Sequence, residues 1–145
     1  MMNTKLINLC LELSIKAHKG QIDKVGLPVV LHPLHVGYMG DTTEEVCVGF
    51  LHDTLEDTSL TSEDLATAGV PQDIINAVEI LTHDKVNNTY EEYIERIIQS
   101  GDRTAIKVKW HDLHHNYERS LKYGFSKQNE KCRKAIERMS SALNL

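Results

Sequence analysis

The segment LHDTLEDT, residues 51–58, brings a histidine and three carboxylates together in a short stretch of predicted helix. On a helix, Asp53 and Asp57 share one face at a spacing of four residues, and Glu56 lies beside Asp53 at a spacing of three. The side chains of the neighbours His52 and Asp53 diverge by roughly 100°, so both reach one ion only in a cleft between helices. This arrangement favours a binding site over a solvated acidic face.

Two imidazoles and two carboxylates are the candidate metal ligands: His32, His52, Asp53 and Asp112. Such a mixed set of nitrogen and oxygen donors suits manganese, iron or zinc, and it offers no soft ligand that would favour copper(I). A divalent ion held there would lower the pKa of a bound water molecule and neutralise charge on a phosphoryl oxygen. The pattern is compatible with metal-assisted hydrolysis.

Polar residues within about one turn of these candidate ligands could act on a substrate. Glu56 and Asp57 could orient the water molecule, accept its proton or protonate the leaving oxygen, and spacing alone does not divide these roles. Asn116 lies one turn after Asp112, where the two form either a solvated pair or a ligand beside a substrate-binding amide.

The histidines also have simpler interpretations. A single histidine such as His32 is more often a hydrogen-bonded structural residue, and only its combination with His52 and Asp53 favours a ligand. His111 and His115 lie four residues apart, as in zinc-binding helices, but no glutamate separates them as in the HExxH motif. Structural or peripheral roles are expected for the others: His18, His35 and His83.

Apolar residues recur at helical spacing throughout the chain, and no run alternates with a period of two. The expected helices cover residues 4–18, 33–40, 42–57, 61–66, 71–81, 88–97, 103–122 and 126–142. The candidate N-terminal caps are Thr42, Thr61 or Ser62, Asn88 or Thr89, Asp102 and Ser126. The fold is therefore predicted to be all-α with about seven or eight helices, with His32 at a helix entrance.

The composition indicates one globular domain, and we expect residues 1–145 to form it. The 16 basic and 21 acidic residues give a net charge of −5, which argues against a general binder of nucleic acid or anionic membranes. Cys10, Cys47 and Cys132 form no CxxC pair, so a reducing, cytoplasmic environment is expected. The N-terminus is predicted to be an amphipathic helix, neither a signal peptide nor a membrane span.

Four motifs within residues 17–119 resemble the HD-domain metal-dependent phosphohydrolases. The similarity is to the hydrolase domain of the RelA/SpoT alarmone enzymes and to the stand-alone small alarmone hydrolases. The motifs are AHKGQ at 17–21, DKxGxP followed by LHP at 23–33, LHDTxEDT at 51–58 and VKxxDxxxN at 108–116. The resemblance implies a helical bundle of the HD-domain type.

The resemblance also implies roles for individual residues. The metal, typically Mn²⁺ but open to other divalent ions, would be bound by His32, His52, Asp53 and Asp112. The catalytic carboxylates would be Glu56 and Asp57, and the nucleotide pocket would include Lys24, Lys85 and Asn116. The family reaction removes the 3′-pyrophosphate from (p)ppGpp to give GDP or GTP and pyrophosphate. Since no synthetase motifs follow, only hydrolysis is expected.

The chain departs from the family pattern at three places. Asp23 precedes Lys24 where an arginine is usual, so a cation that can stack on guanine is lost. Val29 stands where an aromatic residue is common, and Trp110 with His111 replaces a usual Leu-Ala pair. On this basis we expect Asp23→Arg to improve the use of guanine nucleotides.

Two other functions fit the same residues. One is a phosphatase acting on another nucleotide, such as the 2′-phosphate of NADPH. The other is a non-catalytic regulatory module that binds metal and nucleotide, although Glu56 and Asp57 count against it. The expected partner is a small nucleotide rather than nucleic acid or membrane, and the sequence leaves a homo-oligomer open.

Overall fold

Nine helices follow one another in the computed structural model, which describes residues 1–144. They are α1 (Thr4–Ala17), α2 (Leu31–Tyr38), α3 (Thr43–Leu51), α4 (Thr54–Asp57), α5 (Ser62–Ala68), α6 (Gln72–Leu81), α7 (Tyr90–Gln99), α8 (Arg103–Tyr123) and α9 (Ser126–Leu143). Within these residues the extended chain pairs only at an isolated bridge between Ile22 and Pro28. The predicted all-α class is confirmed.

Several helix starts follow from local capping. The side-chain oxygens of four predicted caps accept a hydrogen bond from the amide three residues later: Thr42, Thr61, Thr89 and Asp102. Each such cap is typically worth about 1 kcal/mol. The prediction for Ser126 is wrong, because α9 already begins at that residue and Phe125 precedes it without a side-chain cap.

The segment around His52 is not the single helix that the sequence predicted. α3 ends at Leu51 and α4 begins at Thr54. The hydroxyl of Thr54 donates to the carbonyl of Leu51 at 2.7 Å, and Nδ1 of His52 lies 2.6 Å from the carbonyl oxygen of Gly49. These side chains occupy acceptors near the end of α3, and the break accounts for a helix count of nine over residues 1–144.

The helix that carries His32 begins earlier than predicted. α2 starts at Leu31, and the amide of Leu34 donates to the carbonyl of Val30 at 3.0 Å. Pro33 lies in the first turn, where its missing amide removes no helical hydrogen bond. His32 therefore belongs to the first turn of α2 and takes its direction from a regular helix.

α2 and α3 make a backbone contact that only glycine allows. A methyl group built on Gly49 would lie 2.5 Å from the Cα atom of Gly37, and one built on Gly37 would overlap the ring of Phe50. The two helices therefore approach more closely than larger side chains would permit. This contact brings the helix of His32 against the helix that leads to His52.

α3 lies at the centre of the bundle, where it contacts α1, α2, α6 and α8. Six consecutive residues of α3 are buried, from Val46 to Leu51, as expected of a helix surrounded by others. The three cysteines are buried and free. Over residues 1–144, none of the helices has the length and apolar composition that a membrane crossing requires.

Candidate active site

The helices α2, α3 and α8 bring the four candidate metal ligands together. His32 comes from the first turn of α2, Asp112 from the middle of α8, and His52 with Asp53 from the junction of α3 and α4. Nε2 of His32 lies 2.7 Å from Oδ1 of Asp112 and 3.8 Å from Oδ2 of Asp53. Donor atoms of His32, His52 and Asp53 all lie within 4.8 Å of one another.

His52 directs a buried nitrogen into this group. Its Nδ1 atom is bonded to the carbonyl of Gly49, so Nδ1 carries the proton and Nε2 holds a lone pair. Nε2 is buried without a hydrogen-bond partner, 3.3 Å from Oδ2 of Asp53 and 3.4 Å from Oδ1 of Asp112. A nitrogen lone pair and two carboxylates repel one another unless a cation lies between them. The set of nitrogen and oxygen donors fits a divalent metal ion.

The carboxylates around His52 favour positive charge on its ring. Burial alone lowers the pKa of His52, but Asp53 and Asp112 outweigh it and raise the pKa to about 9. A proton thus takes the place of a cation when no metal is bound.

Asp112 is oriented by a buried ion pair. Its Oδ2 atom accepts from the ammonium of Lys109 at 2.7 Å, and its Oδ1 atom accepts from Nδ2 of Asn116 at 3.0 Å. Burial would raise the pKa of Asp112, but Lys109 and the two histidines hold it well below its usual range. The Lys109 ammonium also lies 4.9 Å from the ring centroid of Tyr93. One carboxylate oxygen of Asp112 therefore faces the site and the other is neutralised behind it.

His115 supports His32 from the rear. The two Nδ1 atoms are 2.7 Å apart, and the ring of His35 stacks on His115 at 3.9 Å. Burial, followed by His32 and His35, lowers the pKa of His115 to about 3, so His115 is neutral. When His32 donates to His115, Nε2 of His32 keeps its lone pair toward the site. A zinc-binding helix would need His111 and His115 to face one ion. His115 instead contacts His32.

A cleft of about 310 Å³ opens onto this group. Its lining includes three of the candidate ligands and most of the other expected site residues: His32, Asp53, Asp112, Glu56, Lys85 and Asn116. Lys24 and Asp57 are not among the lining residues. The Lys24 side chain is exposed, with its ammonium 5.5 Å from the ring centroid of Phe125.

Glu56 is held at the wall of the cleft. Its Oε1 atom accepts from the backbone amide of His83 at 2.7 Å, and its Oε2 atom lies 3.5 Å from the ammonium of Lys85. Asp57 lies farther out, where its backbone carbonyl accepts from the side chain of Gln21 at 2.9 Å. Partial burial of its carboxyl group, followed by Asp53 and Glu56, raises the pKa of Asp57.

Asp23 organises the loop between α1 and α2. Its Oδ1 atom accepts from the amides of Val25 at 3.0 Å and Leu27 at 2.9 Å, and its Oδ2 atom accepts from Arg119 at 3.0 Å. Asp23 and Arg119 both line the cleft. A guanidinium group therefore reaches the cleft from α8, which removes the basis for expecting Asp23→Arg to help.

Several residues of the site lacked a clear sequence signal. Lys131 of α9 also lines the cleft, with its ammonium over the ring of Tyr90. His115 and Lys131 are both placed by contacts between different helices, and Lys109 resembled any lysine on a helix surface. The one available signal was the position of Lys109, three residues before Asp112, where it can reach the ligand on the same helix face.

Sequence comparisons give local matches to long enzymes. No protein-family model matches the chain. It is 45% identical over 56 residues, 36% of its length, to a GTP pyrophosphokinase of Myxococcus xanthus. Over 99 residues, 66% of its length, it is 38% identical to a chloroplastic protein of Oryza sativa subsp. japonica named as a GTP diphosphokinase, RSH1. The matched segments span only 7% and 9% of these relatives.

The fold is similar to a solved structure over almost the whole length. That structure is of a metazoan ortholog of SpoT, described as hydrolysing ppGpp and playing a role in starvation responses. The TM-score is 0.70, the sequences are 20% identical, and the similarity covers 97% of each chain. The HD-domain fold and the resemblance to RelA/SpoT-type proteins, both predicted from the motifs, are confirmed.

Proposed function

We propose that residues 1–145 form a cytoplasmic, metal-dependent phosphohydrolase that removes the 3′-pyrophosphate from (p)ppGpp-like alarmones. The products would be GDP or GTP and pyrophosphate. The observation that carries the proposal is the unpartnered Nε2 of His52, which faces Asp53 and Asp112 beside the cleft. The similarity in fold to a protein described as a ppGpp hydrolase supports the substrate class.

The residues that would hold the metal are His32, His52, Asp53 and Asp112. Mn²⁺ is the proposed ion, since the two nitrogen and two oxygen donors suit it. When bound, a divalent ion lowers the pKa of water and offsets negative charge on a phosphoryl oxygen. Lys109 and His115 hold Asp112 and His32 in place from behind.

Glu56 is the stronger candidate for proton transfer because it lines the cleft. The His83 amide and the Lys85 ammonium hold its carboxyl group in place, where it can accept a proton from water. The cleavage breaks the bond between the 3′ oxygen and phosphorus, water supplies the new oxygen, and the 3′ oxygen gains a proton. Asp57 acts beside Glu56. Partial burial, followed by the negative charges of Asp53 and Glu56, raises the pKa of Asp57.

Lys85 and Asn116 are the proposed contacts to the nucleotide, since both line the cleft. The exposed Lys24 is proposed as a contact at the outer edge only. Use of NADPH or another nucleotide is tested together with the alarmones, because the same metal and carboxylates would serve any phosphate monoester or diphosphate.

The test is a panel of substrates incubated with Mn²⁺ or with EDTA: ppGpp, pppGpp, ppApp, NADPH and nucleoside triphosphates. We expect Mn²⁺-dependent release of pyrophosphate from the 3′-pyrophosphorylated nucleotides. Release of phosphate from NADPH instead would identify a nucleotide phosphatase rather than an alarmone hydrolase. No turnover across the panel would contradict the enzyme assignment.

Two variants separate binding of the metal from chemistry. Asp53→Ala removes a ligand and should abolish both Mn²⁺ binding, measured by calorimetry, and activity. Glu56→Gln keeps the ligands and should retain Mn²⁺ binding while lowering kcat by about 10³-fold. Metal-dependent turnover retained in both variants would contradict the proposed site.

A further inference from the structure

His18 is a buried histidine to which the proposed mechanism gives no role. It follows the last residue of α1, lies within the AHKGQ motif and is 2% exposed. Its Nδ1 atom lies 2.8 Å from Oε1 of Gln21, whereas its Nε2 atom is buried with no hydrogen-bond partner among residues 1–144. Burying a polar ring is costly. A buried ring with one hydrogen bond in the described chain therefore points to a use for that bond.

Gln21 links this histidine to the end of α4. Its Nε2 atom donates to the backbone carbonyl of Asp57 at 2.9 Å. A carbonyl oxygen only accepts, so the NH₂ group of Gln21 faces Asp57 and its Oε1 atom faces His18. Nδ1 of His18 consequently carries the proton and donates to Gln21. The hydrogen bonds thus run in one direction, from His18 through Gln21 to Asp57.

The backbone of Gln21 is also fixed. Its amide donates to the carbonyl of His18 at 3.0 Å, and its carbonyl accepts from the amide of Val29 at 3.0 Å. Gly20 has a φ of +86°, a left-handed conformation that glycine adopts without strain, and the chain turns there between His18 and Gln21. Gln21 is therefore held through both its backbone and its side chain, and it bridges α1 to α4.

α4 depends on such contacts for its orientation. It comprises only four residues, and a single turn of helix is not stable by itself. On one side, Oε1 of Glu56 accepts from the backbone amide of His83. On the other, Gln21 donates to the carbonyl of Asp57, which has no partner within the helix because it belongs to the last turn. Gln21 therefore restrains the end of α4 that the bond to His83 leaves free.

We propose that His18 and Gln21 are positioning residues that hold Asp57 beside Glu56 at the candidate active site. This inference rests on the proposed hydrolase function and adds to it the means by which α4 is oriented. Neither His18 nor Gln21 lines the cleft, so both act through α4 rather than through the substrate. Without the bond the end of α4 can move, and small displacements of a catalytic group lower the rate strongly.

The test is Gln21→Leu, which nearly preserves the size of the side chain and removes its two hydrogen bonds. With ppGpp and Mn²⁺, kcat should fall about tenfold, whereas KM and the Kd for Mn²⁺ should stay within about twofold of the wild type. Titration calorimetry measures the Kd. An unchanged kcat, or an equal loss in kcat and in Mn²⁺ affinity, would overturn the proposed role.

Gln72→Leu is the matched control. Gln72 is exposed in the first turn of α6, and its Nε2 atom donates to Oδ1 of Asn76 at 2.8 Å. The substitution therefore removes a glutamine hydrogen bond from a helix that carries no proposed site residue, and kcat should not change. The same loss of kcat in Gln72→Leu and Gln21→Leu would overturn the specific role of Gln21.

Two substitutions of His18 separate its hydrogen bond from its packing. His18→Asn keeps an N–H donor close to the position of Nδ1, whereas His18→Leu fills the space without a donor. Both should lower the melting temperature, but only His18→Leu should lower kcat about tenfold. Equal kcat values in the two variants would overturn the role of the bond. If His18→Leu does not fold, Gln21→Leu decides the question, because Gln21 is only half-buried.

Hydrogen exchange in EDTA distinguishes failure of this proposal from failure of the hydrolase function. The amides of Asp57 and Thr58 donate to carbonyls four residues earlier, so their exchange reports on α4 without turnover. Gln21→Leu should speed their exchange about tenfold and leave the amide of Tyr93 in α7 unchanged. Unchanged exchange in α4 would overturn the positioning role, whereas a lack of turnover in the wild type would overturn only the hydrolase proposal.

Discussion

At the scale of single residues, the hydrogen bond from His52 to Gly49 fixes which ring nitrogen faces the ligand cluster. The backbone carbonyl takes the Nδ1 proton, and Nε2 is left between two carboxylates. The same residue therefore binds a proton or a metal ion, but not both.

This competition predicts a pH dependence of stability. The pKa of His52 rises from 6.5 to about 9 on folding, so its protonation stabilises the fold fully below pH 6.5. That contribution is lost as pH rises toward 9. The melting temperature in EDTA should therefore fall by several degrees between pH 6.5 and 9, and saturating Mn²⁺ should remove the fall. His52→Gln, as control, should lack this difference between EDTA and Mn²⁺.

His115 carries a second prediction at the residue scale. His115→Phe keeps a ring that can stack on His35 but removes the bond to His32, so Mn²⁺ affinity should fall 10–100-fold. Titration calorimetry measures the affinity, and a melting curve in EDTA shows whether the fold is retained. His35→Phe, which changes an exposed ring not bonded to a ligand, should have little effect; equal losses in both variants would contradict the role of His115.

At the scale of elements, the loop between α1 and α2 depends on the carboxylate of Asp23. Asp23→Arg removes the acceptor for the amides of Val25 and Leu27 and places a cation beside Arg119. We expect a lower melting temperature and a higher KM for ppGpp. Asp23→Asn keeps an acceptor oxygen and should lie between the wild type and Asp23→Arg. An improved KM in Asp23→Arg would show that the loop tolerates the lost bonds.

The contact of α2 with α3 predicts a coupling between packing and metal binding. Gly49→Ala forces its new methyl group against the backbone of Gly37, which should cost about 3 kcal/mol of unfolding free energy and move His32 away from His52. Urea denaturation and Mn²⁺ titration measure the two effects.

Gly101→Ala is the control for the Gly49→Ala substitution. Gly101 has a positive φ and no atoms near a built methyl group, so the substitution strains only a turn, at a cost of about 1 kcal/mol. It should lower stability without changing Mn²⁺ affinity. Unchanged Mn²⁺ affinity in Gly49→Ala as well would contradict the coupling.

At the scale of the whole molecule, the candidate ligands join the consecutive helices α2 and α3 to α8, which lies far from both in sequence. An ion that binds only the folded state should stabilise it by about 2.7 kcal/mol at a concentration 100 times Kd. Urea denaturation with Mn²⁺ and with EDTA measures this difference. Asp53→Ala should lose most of it, and stabilisation that persists in this variant would place the ion elsewhere.

The parts of the structure that were predictable from sequence are those that local interactions decide. The caps at Thr42 and Thr89 follow from side chains three residues from their partners, and the apolar periodicity fixed the class of fold. The break at His52 was not predictable, because two side chains compete there with backbone hydrogen bonds.

The supporting residues of the site were less predictable than its motifs. His115 acts through the packing of α8 on α2, and Lys131 reaches the cleft only because α9 packs beside α7. From the sequence, Asp23 appeared only to replace a cation, because its partner, Arg119, lies 96 positions away along the chain. Tertiary contacts of this kind leave no pattern in a single sequence.

The backbone contact between Gly37 and Gly49 also bears on the choice among ions. Because main-chain atoms rather than flexible side chains set the distance between α2 and α3, the separation of the two imidazoles cannot adjust freely to ionic radius. Ca²⁺ prefers six to eight oxygen ligands at 2.3–2.6 Å and adaptable geometry, whereas smaller transition-metal ions accept imidazole. The pair of glycines therefore holds the two imidazoles at a set spacing, which would favour an ion of one size at the candidate site.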